Sequence, residues 1–257
     1  MMRILKLGGN EIDDPVWLAK LVATVQRLFE RNEVPVLVHG GGMEVGQLQS
    51  ALGGEPRFVN GLRVTDTTAL KAATMVLCGM VSTRLVAALG ATGLDALGMS
   101  GVDRELVLAT PLTSPDGDLG FVGRPLCVRA DVLRTLLNDG VVPVVAPICS
   151  NGLGGWLNVN ADVMAGAIAM TMGAEEAVFI SNVPGVLVKG QVAPRLNLAT
   201  TRALIADGTI SGGMVPKVAA ALAALEQGVT RVRITNIDDI FGGTVVEVAR
   251  ASRKRAR

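Results

Sequence analysis

The chain has 257 residues, of which 49% are hydrophobic, 18% charged and only 3% aromatic. That length fits one large α/β domain or two closely joined lobes. Lysine and arginine number 24 against 23 aspartate and glutamate residues, so the net charge favours binding neither to nucleic acid nor to a membrane. No run of about 20 unbroken apolar residues is present to span a bilayer, and the first residues lack a signal-peptide core. We expect a cytoplasmic protein.

The reactive side chains are few. Cys78, Cys127 and Cys149 stand far apart, which fits neither a disulfide framework nor a zinc site. His39 is the sole histidine and tyrosine is absent, so a Ser-His-Asp hydrolase and a histidine-rich metal site are disfavoured. We predict no protein metal site and a structural role for His39.

Strand and helix patterns alternate along the chain. Apolar runs predict strands at Arg3–Leu7, 34–38, 141–146, 177–181 and Arg231–Thr235. Helical periodicity predicts helices over residues 15–31, 67–89, 129–138, 162–172 and 217–227. The stretch 106–127 breaks the alternation and predicts a β-hairpin with its turn at 115–117. The fold class is therefore α/β, a three-layer α/β/α sandwich with a mostly parallel central sheet and a β-hairpin excursion.

Glycine and turn residues cluster at 6–10, 39–42, 158–162, 181–185 and 207–213, which we interpret as strand-to-helix transitions. In an open α/β sheet, ligands bind beyond the carboxyl ends of the strands. Glycines there let backbone N–H groups approach an anion, and helix starts add positive dipole ends. Lys6 stands in the first of these clusters, and Lys217 follows the last one closely. The pattern predicts a polyanionic ligand, although no P-loop or dinucleotide fingerprint is present.

Five motifs together resemble those of the amino-acid kinase family: KLGGN at 6–10, VHGGG at 38–42, GLRVTD at 61–66, NVNAD at 158–162 and SGGMVPK at 211–217. The resemblance runs from about Lys6 to Gln227 in the family's order. It implies the amino-acid kinase fold, with an amino-acid-substrate lobe at 1–173 that carries the dimer interface and a nucleotide lobe at 174–257. It also implies transfer of the γ-phosphate of ATP, with Mg²⁺, to the side-chain carboxylate of N-acetyl-L-glutamate in arginine biosynthesis.

Catalytic roles follow from the resemblance. Lys6 and Lys217 would bracket the transferring phosphoryl group, and Asp162 would lie between them and hold their ammonium groups. Gly8 and Gly9 would supply backbone donors to the phosphates.

The same resemblance assigns the acceptor site. Gly41 and Gly42 would offer N–H groups to the acceptor carboxylate, and Arg63 would bind the α-carboxylate with its planar fork. Asn158 would hydrogen-bond the acetamido group, while Asn160 caps the following helix.

The resemblance also places the nucleotide over two loops. Family members often carry aspartate where this chain has Asn182. The contact that residue 182 makes with the nucleotide therefore stays undecided at this point. The predicted nucleotide-binding residues, besides Gly8 and Gly9, are Ser181, Asn182, Val183, Pro184, Gly185, Val186, Thr209, Ile210 and Ser211.

Two alternatives stay open at this point. One is a sister kinase that acts on aminoadipate or glutamate linked to a carrier protein, and the other is a non-catalytic metabolite sensor on the same fold. The family's arginine-inhibited hexamers carry an extra N-terminal helix, and only five residues precede Lys6. We therefore expect an arginine-insensitive homodimer that uses the apolar helix 67–89.

Overall fold

The structure, a computed structural model, describes residues 2–9 and 11–248. Asn10, which ends the first glycine motif, lies outside the described residues. So do residues 249–257, the end of the predicted nucleotide lobe.

Strands account for the centre of the molecule. Those of the described residues are β1 (Arg3–Leu7), β2 (Val36–His39), β3 (Phe58–Val59), β4 (Leu62–Arg63), β5 (Ala96–Gly101), β6 (Val107–Pro111), β7 (Val122–Val128), β8 (Val142–Ser150), β9 (Trp156–Val159), β10 (Glu176–Ile180), β11 (Leu187–Val188), β12 (Gln191–Val192), β13 (Arg195–Asn197), β14 (Arg231–Thr235) and β15 (Thr244–Glu247). β8 is buried at all nine positions, as expected for a strand covered on both faces.

Eleven of these strands form one sheet, in the order β13-β15-β14-β10-β1-β2-β8-β6-β7-β9 with β5 also paired to β8. The central strands β14, β10, β1, β2 and β8 are parallel to one another. Antiparallel pairing is confined to β14–β15, β6–β7 and β8–β9 within this sheet. The carboxyl ends of the parallel strands lie at one edge, so the loops that follow β1, β2 and β10 meet there.

Helices cover both faces of the sheet. They are α1 (Pro15–Phe29), α2 (Gly42–Ala51), α3 (Thr67–Gly90), α4 (Ala130–Asn138), α5 (Ala161–Met172), α6 (Leu198–Ala206) and α7 (Met214–Glu226). One apolar cluster lies under α4, α5 and α7, and a second lies under α1 and α3. Side chains of a strand alternate between faces: Ile4 of β1 packs under α5, whereas Leu5 and Leu7 pack under α1. Lys6 therefore emerges on the α5 face.

Helix α3 has two unusual features. Its centre, Met75–Val81, is π-helical. The helix is also long and apolar enough, by length and composition alone, to cross a membrane. However, Val76, Val81, Leu85 and Leu89 are fully buried in the core beneath it. A core helix of a soluble protein passes the same composition test.

The three-layer fold predicted from the sequence is confirmed, and strands β6 and β7 form the predicted hairpin. The periodicity does not predict α2 and α6, because α2 buries only Val45 and Gln49 and α6 only Thr201, so neither presents an apolar stripe.

Two of the five glycine clusters do not stand at strand-to-helix transitions, and that interpretation was wrong for them. Residues 207–213 connect α6 to α7, and residues 181–185 lead from β10 into the β11–β12 hairpin. The prediction failed because a turn composition does not specify which elements it joins.

Candidate active site

The loops that follow β1 and β2 touch each other at the sheet edge. Gly8 N donates to Ile180 O at 3.1 Å, which ties the first loop to β10. A Cβ atom on Gly9 would lie 2.5 Å from Gly41 N, so only glycine permits this approach of two backbones. The contact brings the first two glycine motifs into one site.

Lys6 and Asp162 form an ion pair at this edge, with 2.9 Å between Nζ and Oδ1 and side chains 17% and 24% exposed. Asp162 stands in the first turn of α5. The side chain of Asn160 caps that helix, accepting from Asp162 N at 2.8 Å and Val163 N at 3.2 Å. The predicted cap at Asn160 is confirmed.

Lys217 lines the same cavity of about 120 Å³ as Lys6 and Asp162. Its Nζ donates to Asn182 Oδ1. The prediction that Asp162 holds both lysines is therefore wrong for Lys217: Asp162 pairs with Lys6, and Lys217 has a neutral partner. Burial lowers the pKa of Lys217; the nearby charge of Glu11 raises it and that of Lys6 lowers it further. Among the residues that line the cavity, two cations and one carboxylate leave a net positive charge, which favours an anionic ligand.

Ser181 adds a polar group to this cavity. Its Oγ is buried and has no hydrogen-bond partner among the described residues. Because a buried hydroxyl without a partner is costly, this atom is suited to a ligand that enters between the lysines.

A second cavity, of about 170 Å³, adjoins the first. It is lined by Gly41, Gly42, Arg63 and Asn158 among apolar side chains such as Val45. Asn160 and Ala161 line this cavity and Asp162 lines the first, so the start of α5 separates the two.

Arg63 is held by three contacts at the second cavity. Its Nη2 donates to Gly42 O at 2.7 Å and its Nη1 donates to Gln49 Oε1 at 2.9 Å. Its guanidinium lies 4.8 Å from the centroid of the Phe58 ring. Burial lowers the pKa of Arg63, but a guanidinium remains charged at neutral pH. Both hydrogen-bond acceptors are neutral, so the positive charge stays available to an anion.

Asn158 lines the same cavity as Arg63. Its Nδ2 donates to Thr65 Oγ1 at 3.1 Å, which leaves the amide oxygen to the cavity. That oxygen can accept a hydrogen bond from a ligand N–H group.

His39 is fully buried at the end of β2. Its Nδ1 lies 3.0 Å from Gly40 O, and because a carbonyl only accepts, Nδ1 carries the hydrogen. Burial lowers the pKa of His39 to about 4, so the ring is neutral at physiological pH. The contact supports the glycine loop, in keeping with the predicted structural role.

Several predicted nucleotide-binding residues line neither cavity. Val186 is fully buried and its N–H donates to Thr244 Oγ1 at 2.8 Å. Ile210 is also buried, and its N–H donates to Leu204 O. Gly8 and Gly9 also line neither cavity, and the Gly8 N–H predicted to serve the phosphates is already donated to Ile180 O. The nucleotide contacts at residues 8–9, 181–186 and 209–211 therefore remain predictions.

Three residues of the site were missed by sequence reasoning: Gln49, Phe58 and Thr65. Gln49 is 1% exposed and lies four residues after Val45, on the buried side of the unpredicted helix α2. A glutamine in phase with a buried valine would have been the signal, had the helix been recognised.

Known proteins resemble this chain in sequence. A sequence model of the Amino acid kinase family matches residues 1–236. The chain is 57% identical over 244 residues to the acetylglutamate kinase of Roseiflexus castenholzii, covering 95% of this chain and 93% of that protein. It is 45% identical over 241 residues to the acetylglutamate kinase of Chloroflexus aggregans, covering 93% and 94%.

A solved structure shares the fold. The N-acetylglutamate synthase of Neisseria gonorrhoeae, complexed with coenzyme A and N-acetyl-glutamate, superimposes with a TM-score of 0.84 at 25% identity. The match covers 97% of this chain and 60% of that one.

Proposed function

The chain belongs to the amino acid kinase family, and we propose that it transfers the γ-phosphate of ATP to the side-chain carboxylate of N-acetyl-L-glutamate. The products are N-acetyl-L-glutamyl 5-phosphate and ADP, a step of arginine biosynthesis. The observation that carries this proposal is the pair of adjoining cavities. One is suited to an amino acid with a blocked amino group, and the other contains two lysines suited to phosphates.

The acceptor binds in the second cavity. Arg63 pairs with the α-carboxylate, the amide oxygen of Asn158 accepts from the acetamido N–H, and Gly41 and Gly42 face the side-chain carboxylate. That carboxylate, with an ordinary pKa of about 4, is ionised at neutral pH and needs no general base. A chain with one buried neutral histidine is therefore adequate for this reaction.

The main barrier is repulsion between the acceptor carboxylate and the triphosphate, so positioning and positive charge supply most of the catalysis. Lys6 and Lys217 neutralise the oxygens of the transferring phosphoryl group. Asp162 orients Lys6 through their ion pair, while Asn182 orients Lys217. Because Asn182 is neutral, this hydrogen bond does not offset the charge of Lys217.

Mg²⁺ enters with ATP as part of the substrate. Within residues 2–9 and 11–248, no group of three or more His, Cys, Asp or Glu side chains is placed to hold a metal. The carboxylate at the phosphoryl cavity, Asp162, is already paired with Lys6. These residues fit a cation held by phosphate oxygens and water rather than by a protein cage.

A coupled ADP-release assay tests the proposal. The acceptors are N-acetyl-L-glutamate, aspartate, glutamate and a carrier-linked aminoadipate, with the Lys217→Ala variant as the control for contaminating ATPase. We expect ADP release that depends on N-acetyl-L-glutamate and is lost in the variant. A preference for carrier-linked aminoadipate would assign the chain to the sister activity, and no release with any acceptor would favour a metabolite sensor.

The chain also exposes an apolar surface that suits a homodimer. On α3, Met75 and Met80 are 48% and 52% exposed, and around the start of β9 Leu153 and Trp156 are 90% and 43% exposed. Trp156 Nε1 donates to Thr74 Oγ1 at 3.1 Å, which joins the two parts of the surface.

We expect this homodimer to be cytoplasmic. Light scattering should give twice the chain mass, and a Met80→Glu variant should dissociate; a monomer at every concentration would contradict this assignment.

A further inference from the structure

Thr65 links the side chain of Asn158 to the main-chain carbonyl of Arg63, although it lines neither cavity itself. We propose that Thr65 is a positioning residue that fixes the direction of the Asn158 amide and thereby makes the site select acceptors with an N–H group on the α-carbon. The inference rests on the proposed function, in which Asn158 meets the acetamido group.

The hydrogen bonds of the Thr65 hydroxyl determine which group donates and which accepts. The side chain is fully buried, and Oγ1 lies 3.0 Å from Arg63 O. A carbonyl oxygen only accepts, so the single hydroxyl hydrogen is committed to Arg63 O. Toward Asn158, at 3.1 Å, the hydroxyl oxygen can then only accept. The amide NH₂ must face Thr65, and the amide oxygen must face the cavity.

Backbone hydrogen bonds hold both partners in place. Phe121 N donates to Thr65 O at 2.7 Å, and Asn158 N donates to Phe121 O at 2.9 Å. Thr65 N donates in turn to Leu119 O at 3.0 Å. The hydroxyl and the amide thus stand on neighbouring, fixed segments, and the amide cannot turn without giving up its bond to Thr65.

An amide oxygen that faces the cavity discriminates between two closely similar acceptors. N-acetylglutamate offers it an N–H donor. Its ester analogue 2-acetoxyglutarate has the same outline but presents an ester oxygen, whose lone pairs oppose those of Asn158. A site built to bind an N–H group rejects the analogue that lacks it. In a cavity open to solvent on one side, we expect roughly 10- to 100-fold weaker binding of the ester.

The test compares Thr65→Val, which keeps the shape but removes the hydroxyl, with the matched control Thr65→Ser, which keeps the hydroxyl. The dissociation constants of both acceptors, and kcat and the KM for ATP, are measured for all three proteins. In Thr65→Val the amide is able to turn its NH₂ toward the ester, so the preference for N-acetylglutamate should fall about tenfold. Thr65→Ser should keep the wild-type preference, and the KM for ATP should change less than about twofold in both variants.

Each outcome bears on the proposal. A loss of affinity for both acceptors by the same factor in Thr65→Val would show a merely structural role and overturn it. So would equal binding of the two acceptors by the wild-type protein, a measurement that does not depend on any variant folding. Failure of the wild-type protein to phosphorylate N-acetylglutamate would instead refute the proposed function, which separates the two conclusions.

Discussion

Gln49 provides a quantitative test of how the site keeps the charge of Arg63 available. Its side chain is 1% exposed, and Oε1 accepts from Arg63 Nη1 at 2.9 Å. The variant Gln49→Met removes this hydrogen bond and retains an unbranched side chain. A hydrogen bond to a charged group contributes about 1.5–3 kcal/mol. Since Gly42 O and the Phe58 ring still hold the guanidinium, we take the lower value, which is about tenfold in affinity for N-acetylglutamate.

The variant Gln49→Glu asks whether a neutral partner matters. It keeps an acceptor for Arg63 but places a negative charge opposite the substrate carboxylate. Two carboxylates on opposite edges of one guanidinium are about 6 Å apart, and at an effective dielectric constant of about 20 they repel by about 3 kcal/mol. We therefore expect Gln49→Glu to weaken N-acetylglutamate binding about 100-fold.

Isothermal titration with N-acetylglutamate, followed by steady-state kinetics, measures both variants. The KM for ATP and kcat should stay within about twofold of wild type, because neither lysine contacts Gln49. The electrostatic reasoning requires a larger loss of N-acetylglutamate affinity in Gln49→Glu than in Gln49→Met. Equal losses in Gln49→Met and Gln49→Glu, or a fall in kcat larger than the loss of affinity, would refute the electrostatic reasoning.

Four further variants test other parts of the molecule. Lys6→Ala and Lys217→Ala should each lower kcat by about 10²–10³ with a small change in the KM for N-acetylglutamate; near-normal turnover would remove these lysines from the phosphoryl-transfer step. Glu176, 2% exposed, accepts three hydrogen bonds from two arginines, so Glu176→Ala should lower the free energy of unfolding in urea by about 3–5 kcal/mol, and a loss below about 1 kcal/mol would contradict this. The pKa of His39 is lowered to about 4 in the folded protein, so only the unfolded chain takes up its proton as the pH falls from about 6.5 to about 4. Over that range the wild-type free energy of unfolding should fall by about 3 kcal/mol more than that of His39→Asn, and identical pH profiles would refute this.

The sequence predicts the parts of the site that depend on local pattern. β1 and β14 begin and end where their apolar runs do. Lys6 stands out because a lysine in a strand buried on both faces requires an anionic partner, and Asp162 is that partner in the structure. The glycine pair at 8–9 is likewise informative, since it precedes the close approach to Gly41.

Contacts that join distant segments are not predictable in the same way. Lys217 pairs with Asn182, 35 residues away, because the loop after β10 folds back toward the start of α7. Gln49 could not be predicted for a different reason. Helix α2 buries only two residues, so its sequence lacks the apolar periodicity that would predict a helix there. Thr65 belongs to a recognised motif, but its role depends on the register that places Asn158 beside it.

The π-helical segment Met75–Val81 makes helix α3 tolerant of a change in length. An α-helix advances about 100° per residue, so one residue gained or lost in a regular turn rotates everything beyond it by that angle. Such a rotation would carry Leu85 and Leu89 out of the core that they now fill. A π-helical segment holds one residue more than regular turns of the same span. Insertions and deletions between related chains are therefore expected at 75–81. A change in length there leaves the same faces of both halves of the helix turned toward the core.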